Sequence, residues 1–266
     1  MTIASVHPAG AQAASFATQD ATASADEICD STGAHHAQCA FGVYPPGSKP
    51  FGLTYGEWTA RWWQWLFSIP TPRNPNLDST GKNCNEGQAG HVWFLAGRFQ
   101  GGPPTERACT IPAAKSLLLP IVNIGFGDGQ NDCNGIGPLP PDPNLQPCDE
   151  IVGPLRQAGV WATVTAGVVT AENNPPALEL TVDGIELVSP LGYRALAPRF
   201  HIRLPQDNLM TYLFGARRPA GIYGPDGSDG YWVMLTPLSP GHHTVHFRTG
   251  DGFQDIIYEL TVEQEE

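Results

Sequence analysis

Three histidines crowd one stretch late in the sequence, His242, His243 and His246, on a segment whose alternating pattern reads as a strand. In extended chain successive side chains point to opposite faces, so His242 and His246 share a face with Thr244 between them, and His243 turns to the other. Two neutral imidazoles on one face are the beginning of a zinc or copper site. A third nitrogen would come from His201, on a second predicted strand, or from His91, and the open position would hold a water or oxygen ligand. The plainer alternative is a histidine face satisfied by ordinary hydrogen bonds.

Other residues suggest other chemistry. Asp128, Asp132 and Asn134 place oxygen ligands at close intervals in a glycine-containing loop, as calcium requires, although position 139 is Leu where an EF-hand loop needs a bidentate Glu. Asp- and Asn-rich turns also form without an ion. Arg194, Arg199, Arg203, Arg217 and Arg218 concentrate positive charge, and Arg199, His201 and Arg203 share one face of a strand, suited to gripping a carboxylate or sulfate. The alternative there is a solvated face paired with the chain's own acids. Among seven tryptophans, Trp63 and Trp232 are the ones predicted to offer a flat indole platform to a glycan. Glu57, Asp78 and Glu86 are available for paired-carboxylate catalysis, but spacing alone does not bring them together. The chain has no G-x-S-x-G elbow, no H-E-x-x-H helix and no phosphate-cradling glycine loop, which lowers the standing of the common hydrolases, metalloproteases and nucleotide enzymes.

The elements that must position these residues are mostly strands. One helix is predicted over residues 55–68: Thr54 followed by Glu57 is a capping box, and Trp58, Trp62 and Trp65 fall on one face, which docks the helix on a sheet. Trp63 points elsewhere. Residues 91–97 and 106–112 read as paired strands around a Gly-Gly-Pro-Pro turn, and 115–123 as a further strand. Residues 177–182 and 185–188 flank Asp183-Gly184, the strongest hairpin signal in the chain. More strands are predicted at 200–204, 231–235, 243–248 and 256–262. The expected fold is all-β, a β-sandwich of jelly-roll or immunoglobulin-like type, with one packed Trp-rich helix and long loops closed by disulfides.

Six cysteines fall between residues 29 and 148 with no C-x-x-C pair, a pattern of disulfides rather than zinc or redox thiols. Neighbourhood suggests Cys29 with Cys39, Cys84 with Cys109, and Cys133 with Cys148, among the fifteen or so connectivities that six cysteines allow. The implied address is secreted, periplasmic or extracellular. Residues 7–15 resemble the small-residue cleavage end of a signal peptide, and residues 1–28 are read as that remnant or as a disordered tail, followed by a single domain over 29–266. Lys and Arg number 14 against 26 Asp and Glu, a net charge of −12 that disfavours nucleic acid as a partner. No run approaches the roughly 18 apolar residues of a membrane-spanning helix.

The helix YGEWTARWWQW at 55–65, the strand VWFLAG at 92–97 and the segment SPGHHTVHF at 239–247 together resemble secreted proteins of environmental bacteria and archaea, over roughly residues 50–262. The resemblance implies one folded unit and an extracytoplasmic address, and brings no activity with it. The function expected is a secreted binding or cell-surface interaction module, with a glycan or other surface component as its partner. The alternatives are an extracytoplasmic His-ligated copper or zinc metalloenzyme and a self-assembling surface protein. Sequence does not decide the oligomeric state.

Overall fold

The computed structural model describes residues 41–127, 178–187, 190–215, 218–250 and 252–264. Cys29, Cys39, Cys133 and Cys148, the proposed calcium ligands Asp128, Asp132 and Asn134, Arg217, and residues 1–28 lie outside them. What is described is mostly strand, arranged in two five-stranded sheets with one substantial helix packed on the first.

The helix, α1, runs Tyr55–Ser68. Its start is fixed by a reciprocal pair: the Glu57 amide donates to the Thr54 hydroxyl at 3.2 Å, and the Thr54 amide donates to the Glu57 carboxylate at 2.8 Å. Pro70 follows the C-terminal end, where the chain cannot continue helically. Trp58, Trp62, Trp63 and Trp65 are all buried, and each indole N–H finds an acceptor: the carbonyls of Pro50, Leu95 and Glu86 for Trp58, Trp62 and Trp65, and the Ser228 hydroxyl for Trp63. A buried indole left without an acceptor costs about 1–3 kcal/mol, a penalty these four bonds avoid, whereas the buried Trp232 Nε1 has no hydrogen-bond partner.

The first sheet is ordered β1 (Val92–Phe94), β3 (Ser116–Gly127), β8 (Gly221–Leu235) and β6 (Arg194–Leu196), with β7 (Phe200–Leu204) also paired to β8. The second is ordered β2 (Thr105–Pro112), β10 (Asp255–Glu263), β9 (Gly241–Thr249), β4 (Leu178–Val182) and β5 (Ile185–Glu186). Alternation decides the layers. Leu117, Leu119, Val233 and Leu235 of the first sheet join Leu180, Val245, Phe247 and Leu260 of the second in one core, while Leu118, Trp232 and Met234 turn the other way and meet α1. Trp62 contacts Trp232 edge-on at 5.2 Å between ring centroids. A short helix, α2 (Leu209–Phe214), is capped by Asn208, whose side chain accepts the Thr211 amide.

The Asp183-Gly184 hairpin forms as expected, with φ of 51° and 77° at its two turn residues. The pairing predicted for residues 91–97 with 106–112 does not. β1 pairs in parallel with β3 in the first sheet, whereas β2 pairs in parallel with β10 in the second. The Gly-Gly-Pro-Pro segment is a crossing between sheets rather than a hairpin turn, and two arginines hold it. Arg98 donates to the carbonyls of Gly102, Pro103, Gly252 and Phe253. Arg107, 2 % exposed, donates to the carbonyls of Ala96 and Gly97 and to the Tyr258 hydroxyl. Cys84 and Cys109 are disulfide-bonded, fastening the loop before β1 to the edge strand β2. That loop also covers the edge itself, since the Ala108 amide donates to the Thr80 carbonyl at 3.0 Å.

Candidate functional site

The four histidines named from sequence occupy three places. His242 and His246 lie on the outer face of the second sheet, as their spacing required, and His201 lies on β7 in the first sheet. His91 lies before β1 and stacks on Phe51, ring centroids 5.2 Å apart and planes within 9°. Among the described residues no group of three or more His, Cys, Asp or Glu side chains is arranged to hold a metal ion.

The outer face of the second sheet is a ladder of cross-strand polar pairs. Thr261 contacts His242 at 3.3 Å, Thr244 donates to Glu259 at 2.9 Å, His246 meets Asp255 at 2.8 Å, and the Arg248 Nε donates to Glu179 at 2.8 Å. Each partner stands in register or nearly so across β4, β9 and β10. His243 is held more firmly at the strand's start. Its Nδ1 lies 2.7 Å from the Asp183 carboxylate and its Nε2 lies 2.8 Å from the Ser239 carbonyl, so both ring nitrogens face acceptors and only the doubly protonated ring satisfies both. Partial burial works against that cation, but the bonds to Asp183 and Ser239 outweigh it and raise the pKa above the usual imidazole value.

The carboxylates considered for catalysis are engaged elsewhere. Glu57 is spent on the capping box, whose hydrogen bonds hold its pKa low. Asp78 borders a shallow cavity of about 230 Å³ lined also by Thr71, Asn74, Thr80, Lys82 and Asn83. Burial works to raise its pKa, but bonds from the Asn83 and Thr80 amides and the Thr80 hydroxyl prevail and lower it. Glu86 pairs with Arg73 at 2.9 Å. An ionised carboxylate saturated with donors is a poor proton carrier near neutral pH.

Trp63 and Trp232, named as indole platforms, present no face to solvent. Trp232 is 0 % exposed beneath Trp62, and Trp63 stacks on Phe67 with Gly125 beneath it, where a Cβ would stand 3.0 Å from the indole. Phe51, Tyr212 and Phe253 are the exposed aromatics among the described residues, and sequence singled out none of them. Phe51 is 46 % exposed and sits at φ 52°, ψ 32°, in the left-handed region that a bulky residue rarely adopts. Tyr44 and Trp58 meet it edge-on at 6.1 and 6.2 Å, and His91 lies flat against it. The Pro50-Phe51-Gly52 triplet was the available signal, a turn whose central φ is not set by the proline.

The arginines lie along the edge of the first sheet. Residues 194–204 run beside β8 from Gly221 to Tyr231, β6 pairing with Asp229–Tyr231 and β7 with Gly221–Asp226. Ala195, Ala197, Phe200, Ile202 and Leu204 are buried toward α1, and Arg194, Leu196, Arg199, His201 and Arg203 are exposed. Pro198 and Arg199 are exposed in succession, a slip of one residue that brings His201 and Arg203 of β7 onto the side held by Arg194 and Leu196. Arg194 is committed: its Nε donates to Asp229, which is 0 % exposed, at 3.1 and 3.2 Å. Among the described residues neither His201 nor Arg203 has a carboxylate partner.

No family model, curated protein or solved structure matches this chain.

Proposed function

We propose that the chain is an exported binding module of β-sandwich form, which holds a glycan by stacking a sugar ring on the ledge made by Phe51 and His91. The ledge carries the reading. A bulky residue in left-handed backbone stores about 1–3 kcal/mol of strain, which a fold retains where the displayed side chain is useful. A half-exposed phenyl braced flat on an imidazole is a rigid apolar platform, the form that ring stacking requires. The engagement of Glu57, Asp78 and Glu86 in structural bonds adds support, since it favours binding over acid–base catalysis. The Cys84–Cys109 bond supports export, because oxidised cysteine pairs persist outside the reducing cytosol, and the resemblance to secreted proteins points the same way.

The experiment is retention on immobilised neutral polysaccharides such as xylan, with Phe51→Gly as the variant. Glycine accepts positive φ without cost, so this change removes the ring while relieving the backbone. Stability is expected within about 1 kcal/mol of wild type, with retention lost. Retention that survives Phe51→Gly, or a wild-type protein that no glycan holds, overturns the reading.

A further inference from the structure

The cationic edge of the first sheet stands out against the rest of the molecule. The chain carries a net charge of −12, yet residues 194–204 contain three arginines, one histidine and no acid. On the second sheet Arg248 has Glu179, His243 has Asp183 and His246 has Asp255, while Arg107 is spent on backbone carbonyls and the Tyr258 hydroxyl and His242 meets Thr261. On the first-sheet edge Asp229 answers Arg194 and no described carboxylate answers His201 or Arg203.

We propose that this edge docks a carboxylated polysaccharide, with His201 and Arg203 taking successive carboxylates. Strand geometry sets these side chains about 6.7 Å apart on one face, an interval for sparse, regularly placed charge. Leu196 and Ile222, 47 % and 42 % exposed, offer apolar surface beside the cations, and Ile222 stands opposite Arg203 in register. Sugar rings with apolar C–H faces and a carboxylate on each residue match that alternation. Two such donors are too few for a dense phosphate polymer, whose binding depends on an extended positive surface. The strand is anchored: β7 is pinned by Gln64 of α1, whose Nε2 donates to the His201 carbonyl at 3.0 Å, so its backbone is held in place before a ligand arrives.

This proposal rests on the reading of the chain as an exported glycan-binding module and assigns that module a second contact. Affinity electrophoresis in polygalacturonate at low ionic strength tests it, with fully methyl-esterified polymer, dextran sulfate and phosphatidylglycerol vesicles as comparators. Wild-type protein is expected to be retarded by polygalacturonate and not by its ester. Arg203→Ala should weaken binding about tenfold, the loss of one charge-assisted hydrogen bond. Arg248→Ala changes net charge equally on the other sheet and should stay within about twofold of wild type. Absence of retardation, equal effects of the two substitutions, or preference for dextran sulfate or vesicles overturns it. Phe51→Gly separates the two sites: loss of xylan retention with polygalacturonate binding intact assigns the ledge and the edge independently, and loss of polygalacturonate binding in Phe51→Gly overturns the edge as a separate contact.

Discussion

His243 and Asp183 join a turn to a strand through charge. Asp183 stands at positive φ in the hairpin turn, and its two oxygens reach the Thr244 amide at 2.8 Å and the His243 ring at 2.7 Å. Because the folded pKa of His243 is raised, its contribution to stability is complete below the unfolded value of about 6.5 and fades as pH climbs through the folded value. Asp183→Asn keeps the turn and the amide contact but removes the charge. Its destabilisation should amount to about 0.2–1 kcal/mol, the scale of a solvent-screened pair. It should be larger near about pH 6 than near about pH 8.5, as urea denaturation at both pH values would show. An equal deficit at both would mean that the ring is neutral in the fold. At this scale the sequence was legible where a residue acts on its own neighbours. Asp183-Gly184 announced its turn, and the period of two placed His242 and His246 on one face. It was silent where the partner is distant: nothing in the sequence near Trp63 names Ser228, 165 positions away, and nothing near Phe51 announces that His91 will lie against it.

Among the elements, α1 was the most legible, because its capping box is spelled by two residues three apart and needs no tertiary contact to form. Thr54→Ala should cost about 1 kcal/mol, and Thr54→Ser should recover most of it, measured by thermal or chemical unfolding. A neutral Thr54→Ala would mean that packing alone fixes the helix start. The predicted three-residue stripe understated the helix's burial. Trp63 is buried as deeply as its neighbours because Ser228 and Gly125 of the first sheet lie against it, while the loop around Glu86 covers Trp65, and helical periodicity cannot count how many sides are covered. Strand faces were readable and strand partners were not. β6 escaped notice because three residues followed by Ala197-Pro198 give too short an alternation, though it continues the edge that β7 begins. The segments now seen as β1 and β2 looked like a hairpin because the glycine and proline between them suit a turn and a crossing alike.

For the whole molecule, cross-linking compensates for irregularity. The stretch from 70 to 91 contains no strand and only one short 3₁₀ turn, yet it supports Trp65 and seals the β2 edge. The Cys84–Cys109 bond closes a separation of 25 residues. Replacing both cysteines with serine should cost about 3 kcal/mol by loop entropy, read as a lower urea midpoint with a steeper slope, because the freed unfolded chain exposes more surface. A midpoint unmoved would show that Arg98, Arg107 and the Thr80 contact hold the crossing unaided. Membrane passage by a helix finds no candidate, since no described helix is long and apolar enough to span a bilayer.

The position of β10 has a consequence for biosynthesis. Residues 255–263 lie inside the second sheet, between β9 and a β2 made some 150 residues earlier. Until the ribosome has released them, β2 has no neighbour in its own sheet and that layer stays open. A strand that waits this long for its partner presents unpaired backbone in the interval, the exposure that invites mispairing.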